Sequence, residues 1–240
     1  MEYINEYESS SSSSSDEGAG VLAAVAPPLP GSGTPTATDV RPAHLSAARA
    51  VGPPTLGPGA CLLHVYVEVH ADHDLLKMLE RCLADMNACS KPAAGQQGIL
   101  PVEGLCSGGA DGRDTARLHI SLSRPVVLKR HHLPPFLGRL SESLRSQPGF
   151  RVGFSGFECF VNDTQTRSFM ALLVGHGADK LGLLLGRVNE CLAAYGQAQF
   201  YENPRFHASF AYSEGAEAIR RELADVLDAR YGTKALGLDP

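Results

Sequence analysis

The chain has no tryptophan, no Cys-x-x-Cys pair, no long apolar run and no excess of positive charge. Its apolar stretches are short and broken by proline, which excludes a helix long enough to span a bilayer. Its six cysteines (Cys61, Cys82, Cys89, Cys106, Cys159 and Cys191) fall at irregular distances. Together with an acidic start, "MEYINEYE", that has neither the basic flank nor the apolar stretch of a signal peptide, this spacing reads as free thiols in a reducing compartment. Cys82 and Cys191 sit in helical patterns, where a small buried hydrophobe is expected.

The net charge of -5 argues against a protein that tracks long duplexes, whose affinity comes from many phosphate contacts. The charge is unevenly placed. Residues 1–20 hold five acids (Glu2, Glu6, Glu8, Asp16 and Glu17) and no Lys or Arg, so the remaining 21 acids face 21 bases. A neutral remainder is compatible with a pocket that takes a few nucleotides.

Hydrophobic residues at 43% and charged residues at 20% are ordinary for a globular chain, and 240 residues suffice for one core or two small packed halves. Residues 1–59 are too rich in Ser, Pro, Gly and Ala to bury a core, and are expected as a disordered, solvated acidic tail. The folded domain is expected over 60–240. "LLHVYVEV" (62–69) has the pattern of a strand, and "ADHDLLKMLERCLADMNA" (71–88) that of a helix, with Asp72 or Asp74 as its cap.

A long Gly-rich loop is expected over 91–114. The strand "ARLHISLS" follows, then a helix over "LPPFLGRLSESLRS", whose prolines suit a first turn. Two strands flank the turn "DTQT", a helix runs to Gly196, "FHASFAYS" reads as a strand, and 215–232 reads as the last helix. A helix followed by a His-x-Ser strand occurs once in each half. The expected fold is therefore α+β, with two pseudo-symmetric lobes whose antiparallel sheets face a central cleft.

The two His-x-Ser pairs carry the chemistry. In "LHISLS", Leu118, Ile120 and Leu122 share one strand face, so His119 and Ser121 share the other; in "FHASFA", Phe206, Ala208 and Phe210 face the core, and His207 and Ser209 face away. Each strand offers an imidazole and a hydroxyl roughly 7 Å apart. Two imidazoles on opposite sides of a phosphate can take a proton from an attacking hydroxyl and give one to the leaving oxygen, while two hydroxyls bind the non-bridging oxygens.

A third match, His44 to Ser46, lies in the tail with no strand around it and is set aside. The spacing of His70 and His73 suits zinc, but no third ligand accompanies it. His131 and His132 read as a solvated helix start. "GLLLGR" lacks the strand and Lys of a phosphate loop. No metal and no cofactor are expected.

The blocks "HVYVEV", "LHISLSRPVVLKRHH", "FVNDTQTRSFMALLV" and "FYENPRFHASFAY", in that order over about 62–213, resemble the U6 snRNA phosphodiesterase family of the 2H phosphoesterase superfamily. The Gly-Asn-Trp and basic Pro/His stretch usual in that family before the first strand are absent from "GPPTLGPGACLLHVYV". The resemblance implies a metal-independent 3′-to-5′ exoribonuclease that trims the oligouridine 3′ end of U6 small nuclear RNA in the nucleus. In that reaction a 2′-hydroxyl attacks its own phosphate and leaves a 2′,3′-cyclic phosphate.

It further implies His207 as general base, His119 as general acid, and Ser121 and Ser209 on the phosphate. Tyr201 would stack on a base. Asn162, Asp163, Asn203, Pro204, Arg205 and Phe206 would line the uridine pocket. Two other readings use the same residues: hydrolysis of an existing 2′,3′-cyclic phosphate, and a non-catalytic RNA-binding module.

Overall fold

The computed structural model describes residues 59–71, 73–90, 98–102, 105 and 116–232. The tail, His44 and Asp72 therefore lie outside the described residues, as does the His70 side chain. Among the described residues no helix is long and apolar enough to cross a membrane.

The apolar run at 62–69 is two strands rather than the single one expected. β1 (Ala60–Leu63) ends at Leu63, and β2 (Tyr66–Ala71) starts after a break at His64 and Val65. Hydrogen bonds from a distant segment make the break. The Val65 amide donates to Ser123 Oγ at 2.8 Å, and the Val65 carbonyl accepts from the amides of Leu122 and Ser123 at 2.8 and 3.1 Å. With its backbone groups satisfied there, the chain changes partners. β1 pairs antiparallel with β5 (Val126–Lys129), a strand the sequence pattern did not reveal. β2 pairs along its length with β4 (Ala116–Ser121), setting Tyr66 opposite Ser121 and Glu68 opposite His119.

The larger sheet has the order β2-β4-β8-β7-β6, with the two-residue β3 (Leu100–Pro101) on β8. β6 (Phe154–Val161) and β7 (Arg167–Val174) form a hairpin whose turn takes Gln165 to a φ of 56°, and β8 (His207–Glu214) lies along β7. Two antiparallel blocks, β2-β4 and β8-β7-β6, one for each lobe, make up this continuous sheet. They join at β4 and β8 through one residue pair, Ile120 opposite Ala208.

β3 lies inside the stretch expected to be loop. Asn87 holds the chain entering it, its amide donating to the Ile99 carbonyl at 2.9 Å and its Oδ1 accepting from the Ile99 amide at 3.0 Å. A strand of two residues leaves no periodicity to read.

Among the described residues, four α-helices cover the sheets. α1 (His73–Cys89) buries Leu76, Met78, Leu79, Cys82 and Met86, an i, i+3, i+4 stripe. α2 (Leu133–Leu144) opens on prolines in its first turn and packs on α3 (Ala178–Ala193). α4 (Arg221–Tyr231) packs on β6 and α1. It is tied to α1 where Asp85 accepts from the Tyr231 hydroxyl and from Arg230, both at 2.6 Å.

α4 starts six residues later than the sequence pattern suggests. Ile219 is inserted into the core at 1% exposure, and its amide donates to Ser168 Oγ at 2.9 Å instead of starting a helix. Burying each large apolar side chain stabilises the core by roughly 1.5–3 kcal/mol. Gly156 on β6 permits the approach of α4, since a Cβ there would meet Asp228 Oδ1 at 2.9 Å.

Candidate active site

The face opposite the core carries the expected residues. Leu118, Ile120 and Leu122 are buried at 2%, 0% and 0% exposure, which turns His119 and Ser121 outward; Ala208 and Phe210, both at 0%, do the same for His207 and Ser209. The antiparallel sense of β4 and β8 about the Ile120–Ala208 pair sets His119 across from Ser209 and Ser121 across from His207. Each histidine therefore faces the other strand's serine. A tetrahedral anion between the strands would meet an imidazole and a hydroxyl from each side.

Both imidazoles are held below the ordinary histidine value. For His207 the chief cause is burial, with the Arg205 charge adding and a hydrogen bond to the Arg205 backbone opposing. For His119 it is burial, then the charge of His207. The His119 ring thus senses the charge of His207.

His207 Nδ1 lies 2.7 Å from the Arg205 carbonyl oxygen. A carbonyl can only accept, so Nδ1 carries the hydrogen and the lone pair of the neutral ring sits on Nε2. Phe160 stacks on the same ring at 3.8 Å between centroids and 15° between planes, which fixes its plane. His119 packs against Tyr66 at 5.1 Å and edge-on to His64 at 5.6 Å.

A second cluster starts from Arg124, three residues after Ser121 in the chain. The Tyr201 hydroxyl donates to Asp163 Oδ1 at 2.9 Å, and Arg124 Nη1 donates to Asp163 Oδ2 at 2.9 Å. The same guanidinium lies 4.1 Å from the centre of the Tyr201 ring. Three separate segments close into one triangle, and Tyr201 keeps 40% of its surface exposed. Burial and the bond to Asp163 hold its phenol above the ordinary tyrosine value, so it remains a neutral donor.

The other expected pocket residues divide. Asn162 is engaged by its own turn, its Oδ1 accepting from the amides of Thr166 and Arg167 at 2.9 and 3.1 Å and its Nδ2 donating to Thr166 Oγ1 at 3.0 Å. Arg205 pairs bidentately with Glu158 on β6. Phe206 is buried at 7% exposure in the core, and its carbonyl accepts from the Val174 amide at 2.9 Å. Asn203 is exposed. Pro204 lines, with Tyr201 and Phe200, a groove of about 390 Å³ against α3 that includes none of the four His and Ser residues.

His64, Tyr66, Arg124 and Phe160 belong to the site but did not stand out in the sequence. The signals were faint: alternation puts His64, Tyr66 and Glu68 on one face of their run, and Arg124 follows the His119 strand directly. Among the described residues no group of three or more His, Cys, Asp or Glu is placed to hold a metal ion.

An α+β protein in which two His-x-Ser strands share one sheet is the class that fold and site define. The chain belongs to the HVSL family, described as "Uncharacterised conserved protein", whose family model matches residues 58–235. It is similar to U6 snRNA phosphodiesterase 1 of Drosophila melanogaster, with 33% identity over 117 residues, 46% of this chain and 45% of that protein. It is also similar to the protein of that name from Homo sapiens, with 30% identity over 104 residues, 43% of this chain and 39% of that protein.

The Xenopus laevis protein of that name aligns over 152 residues at 25% identity, 63% of this chain and 53% of that protein. The aligned part of the chain thus spans about half the length of these relatives. Among solved structures, Kluyveromyces marxianus Usb1 with uridine monophosphate superposes with a TM-score of 0.49 at 19% identity, over 75% of this chain and 84% of that one.

Proposed function

We propose that the chain is a metal-independent RNA phosphodiesterase that removes 3′-terminal nucleotides from U6 small nuclear RNA, with a preference for oligouridine ends and a nuclear place of action. Its catalytic elements fall within 60–240, the span expected from the sequence as the folded domain. The observation that carries this reading is the crossed arrangement of His119 with Ser209 and Ser121 with His207 about the Ile120–Ala208 pair. The relatives named U6 snRNA phosphodiesterase 1 support the choice of RNA.

The scissile phosphate sits between β4 and β8, its non-bridging oxygens accepting hydrogen bonds from Ser121 and Ser209. The penultimate 2′-hydroxyl attacks phosphorus. Nε2 of His207, free because Nδ1 is committed to the Arg205 carbonyl, takes the proton of that hydroxyl. As the new O–P bond forms, the bond to the terminal 5′-oxygen breaks, and His119 delivers a proton to the departing oxygen. The products are a free nucleoside and an RNA ending in a 2′,3′-cyclic phosphate. The serine hydroxyls bind most tightly as charge accumulates on the phosphorane oxygens, which lowers the barrier.

Tyr201 presents its open face to the terminal base while Arg124 and Asp163 hold the ring. Asn162 keeps the β6–β7 turn, and so Asp163, in place; Asn203, Pro204 and Arg205 shape the wall of the uridine pocket, with Phe206 anchoring that segment in the core.

The test is mass spectrometry of the products from a short RNA with a 3′-oligouridine tail. Nucleoside plus a cyclic-phosphate end is expected. Inertness on this RNA, with opening of a supplied 2′,3′-cyclic phosphate, would make the chain a cyclic phosphodiesterase. Tight binding with no product of either kind would make it a binding module.

A further inference from the structure

His64 sits in the break between β1 and β2, where neither strand's ladder uses it. Its Nε2 lies 3.1 Å from Ser121 Oγ. Its ring stands edge-on to His119 at 5.6 Å and tilts against Tyr66 at 5.5 Å, so its place is set from three sides. The break itself is fixed from the far side of the site, because Ser123 Oγ accepts the Val65 amide and the Leu122 and Ser123 amides bond the Val65 carbonyl. Ser123 is buried at 1% exposure. The strand that presents Ser121 therefore also presents the histidine that bonds it.

A serine hydroxyl turns among staggered positions, and its hydrogen follows whichever partner is nearest. A hydroxyl that must meet a phosphate oxygen loses that freedom on each encounter unless something has already fixed it, and prior fixing moves the entropy loss out of the reaction. We infer that His64 is a positioning residue whose Nε2–H donates to Ser121 Oγ, so that the hydroxyl hydrogen is left directed at the phosphate.

This inference rests on the phosphodiester reading above. Histidine suits the task because burial, then the charge of His119, drives its pKa down to about 4, against a weaker upward pull from the Ser123 backbone. At neutral pH the ring is uncharged. It bonds the hydroxyl without placing another positive charge beside His119, which has to hold its own proton to act as an acid.

The experiment compares wild type with His64→Leu, His64→Gln, Ser121→Ala and the double variant His64→Leu/Ser121→Ala on a short oligouridine RNA. Single-turnover rates at saturating RNA, KM and thermal unfolding are recorded for each. Glutamine can return a polar atom to the Nε2 position; leucine cannot. His64→Leu is expected to slow cleavage roughly tenfold, about the worth of one oriented hydrogen bond, with KM little changed, and His64→Gln is expected to recover most of that rate.

In the Ser121→Ala background His64→Leu should do nothing more, since its effect runs through that hydroxyl. A His64→Leu loss that multiplies onto Ser121→Ala overturns the inference. So does a loss seen only in KM, or a His64→Gln variant as slow as His64→Leu. If Ser121→Ala itself cleaves like wild type, it is the phosphodiester reading that fails.

Discussion

His207 Nδ1 and the Arg205 carbonyl oxygen are 2.7 Å apart. That bond commits one ring nitrogen as a donor and leaves the other as the only site for an incoming proton, with Phe160 stacked at 3.8 Å to keep the ring from turning. His119 differs: its pKa is lowered by burial and then by the charge of His207. The two imidazoles of the site are thus electrostatically coupled and chemically unequal, as a base and an acid acting on one phosphate need to be.

Removing either ring should therefore nearly abolish trimming. A positioned acid or base contributes roughly 10²- to 10⁴-fold in rate, so His119→Ala and His207→Ala are each expected to fall by that factor at saturating RNA, while both still bind it. Their losses should not multiply in the double variant, because groups acting on one transition state are strongly non-additive. Single-turnover kinetics on the three variants checks this; a modest loss from either single change would separate the strands from the chemistry.

The pH dependence follows from the direction of the two shifts. The base has to be neutral, so the rate falls as pH drops through the pKa of His207; the acid has to be protonated, so the rate falls as pH rises through that of His119. Both are shifted down from the ordinary histidine value, and the charge of His207 contributes to the shift of His119. A kcat/KM profile is expected to be a bell whose maximum lies on the acid side of 6.5, the pair titrating as a unit. A maximum well above neutrality would contradict the assigned environments.

Folding stability should carry a separate signature from His64. Its folded pKa is about 4 against 6.5 for the free side chain. Between those values the unfolded chain takes up a proton that the folded one refuses. Stability is therefore full above about pH 6.5 and declines as pH falls towards 4, by on the order of 1–3 kcal/mol from this group. His119 and His207 add slopes of the same sign. Denaturant titrations at pH 7 and 4.5 should show the decline in wild type and a shallower one in His64→Gln.

Much of this site was legible before any coordinates. Leu118, Ile120 and Leu122 alternate with His119 and Ser121, and Ala208 and Phe210 with His207 and Ser209, so the strand period alone told which side chains share a surface. The adjacency of the two strands was not legible from that period, because one contact, Ile120 to Ala208, joins segments far apart in the chain. His64 was hidden for a related reason. Its run reads as continuous strand, and it is bonds from Leu122 and Ser123, the latter 58 residues from Val65, that break it beside His64. Asn162 shows the reverse case, since a residue that the family resemblance places at the pocket is engaged by its own turn through Thr166 and Arg167.

The Tyr201 triangle separates binding from chemistry. Tyr201→Ala should weaken RNA binding by roughly 1–3 kcal/mol through lost base stacking while leaving the cleavage step close to wild type at saturation. Tyr201→Phe keeps the ring and loses only the bond to Asp163, so it should fall between the two. Fluorescence anisotropy with labelled oligouridine, read beside single-turnover rates, distinguishes these outcomes; a large loss in the cleavage step for Tyr201→Phe would place the phenol in the chemistry.

The central claim is that β4 and β8 frame one phosphodiester and that its own 2′-hydroxyl is the nucleophile. The most direct measurement compares two oligouridine RNAs that differ only in a 2′-deoxy sugar at the penultimate position, both in excess chelator, with products weighed by mass spectrometry. The account predicts that the all-ribose RNA loses its terminal nucleoside and ends in a 2′,3′-cyclic phosphate, while the deoxy-substituted RNA stays intact. Cleavage of the deoxy-substituted RNA, or loss of activity on the all-ribose RNA until magnesium or manganese is restored, would contradict it.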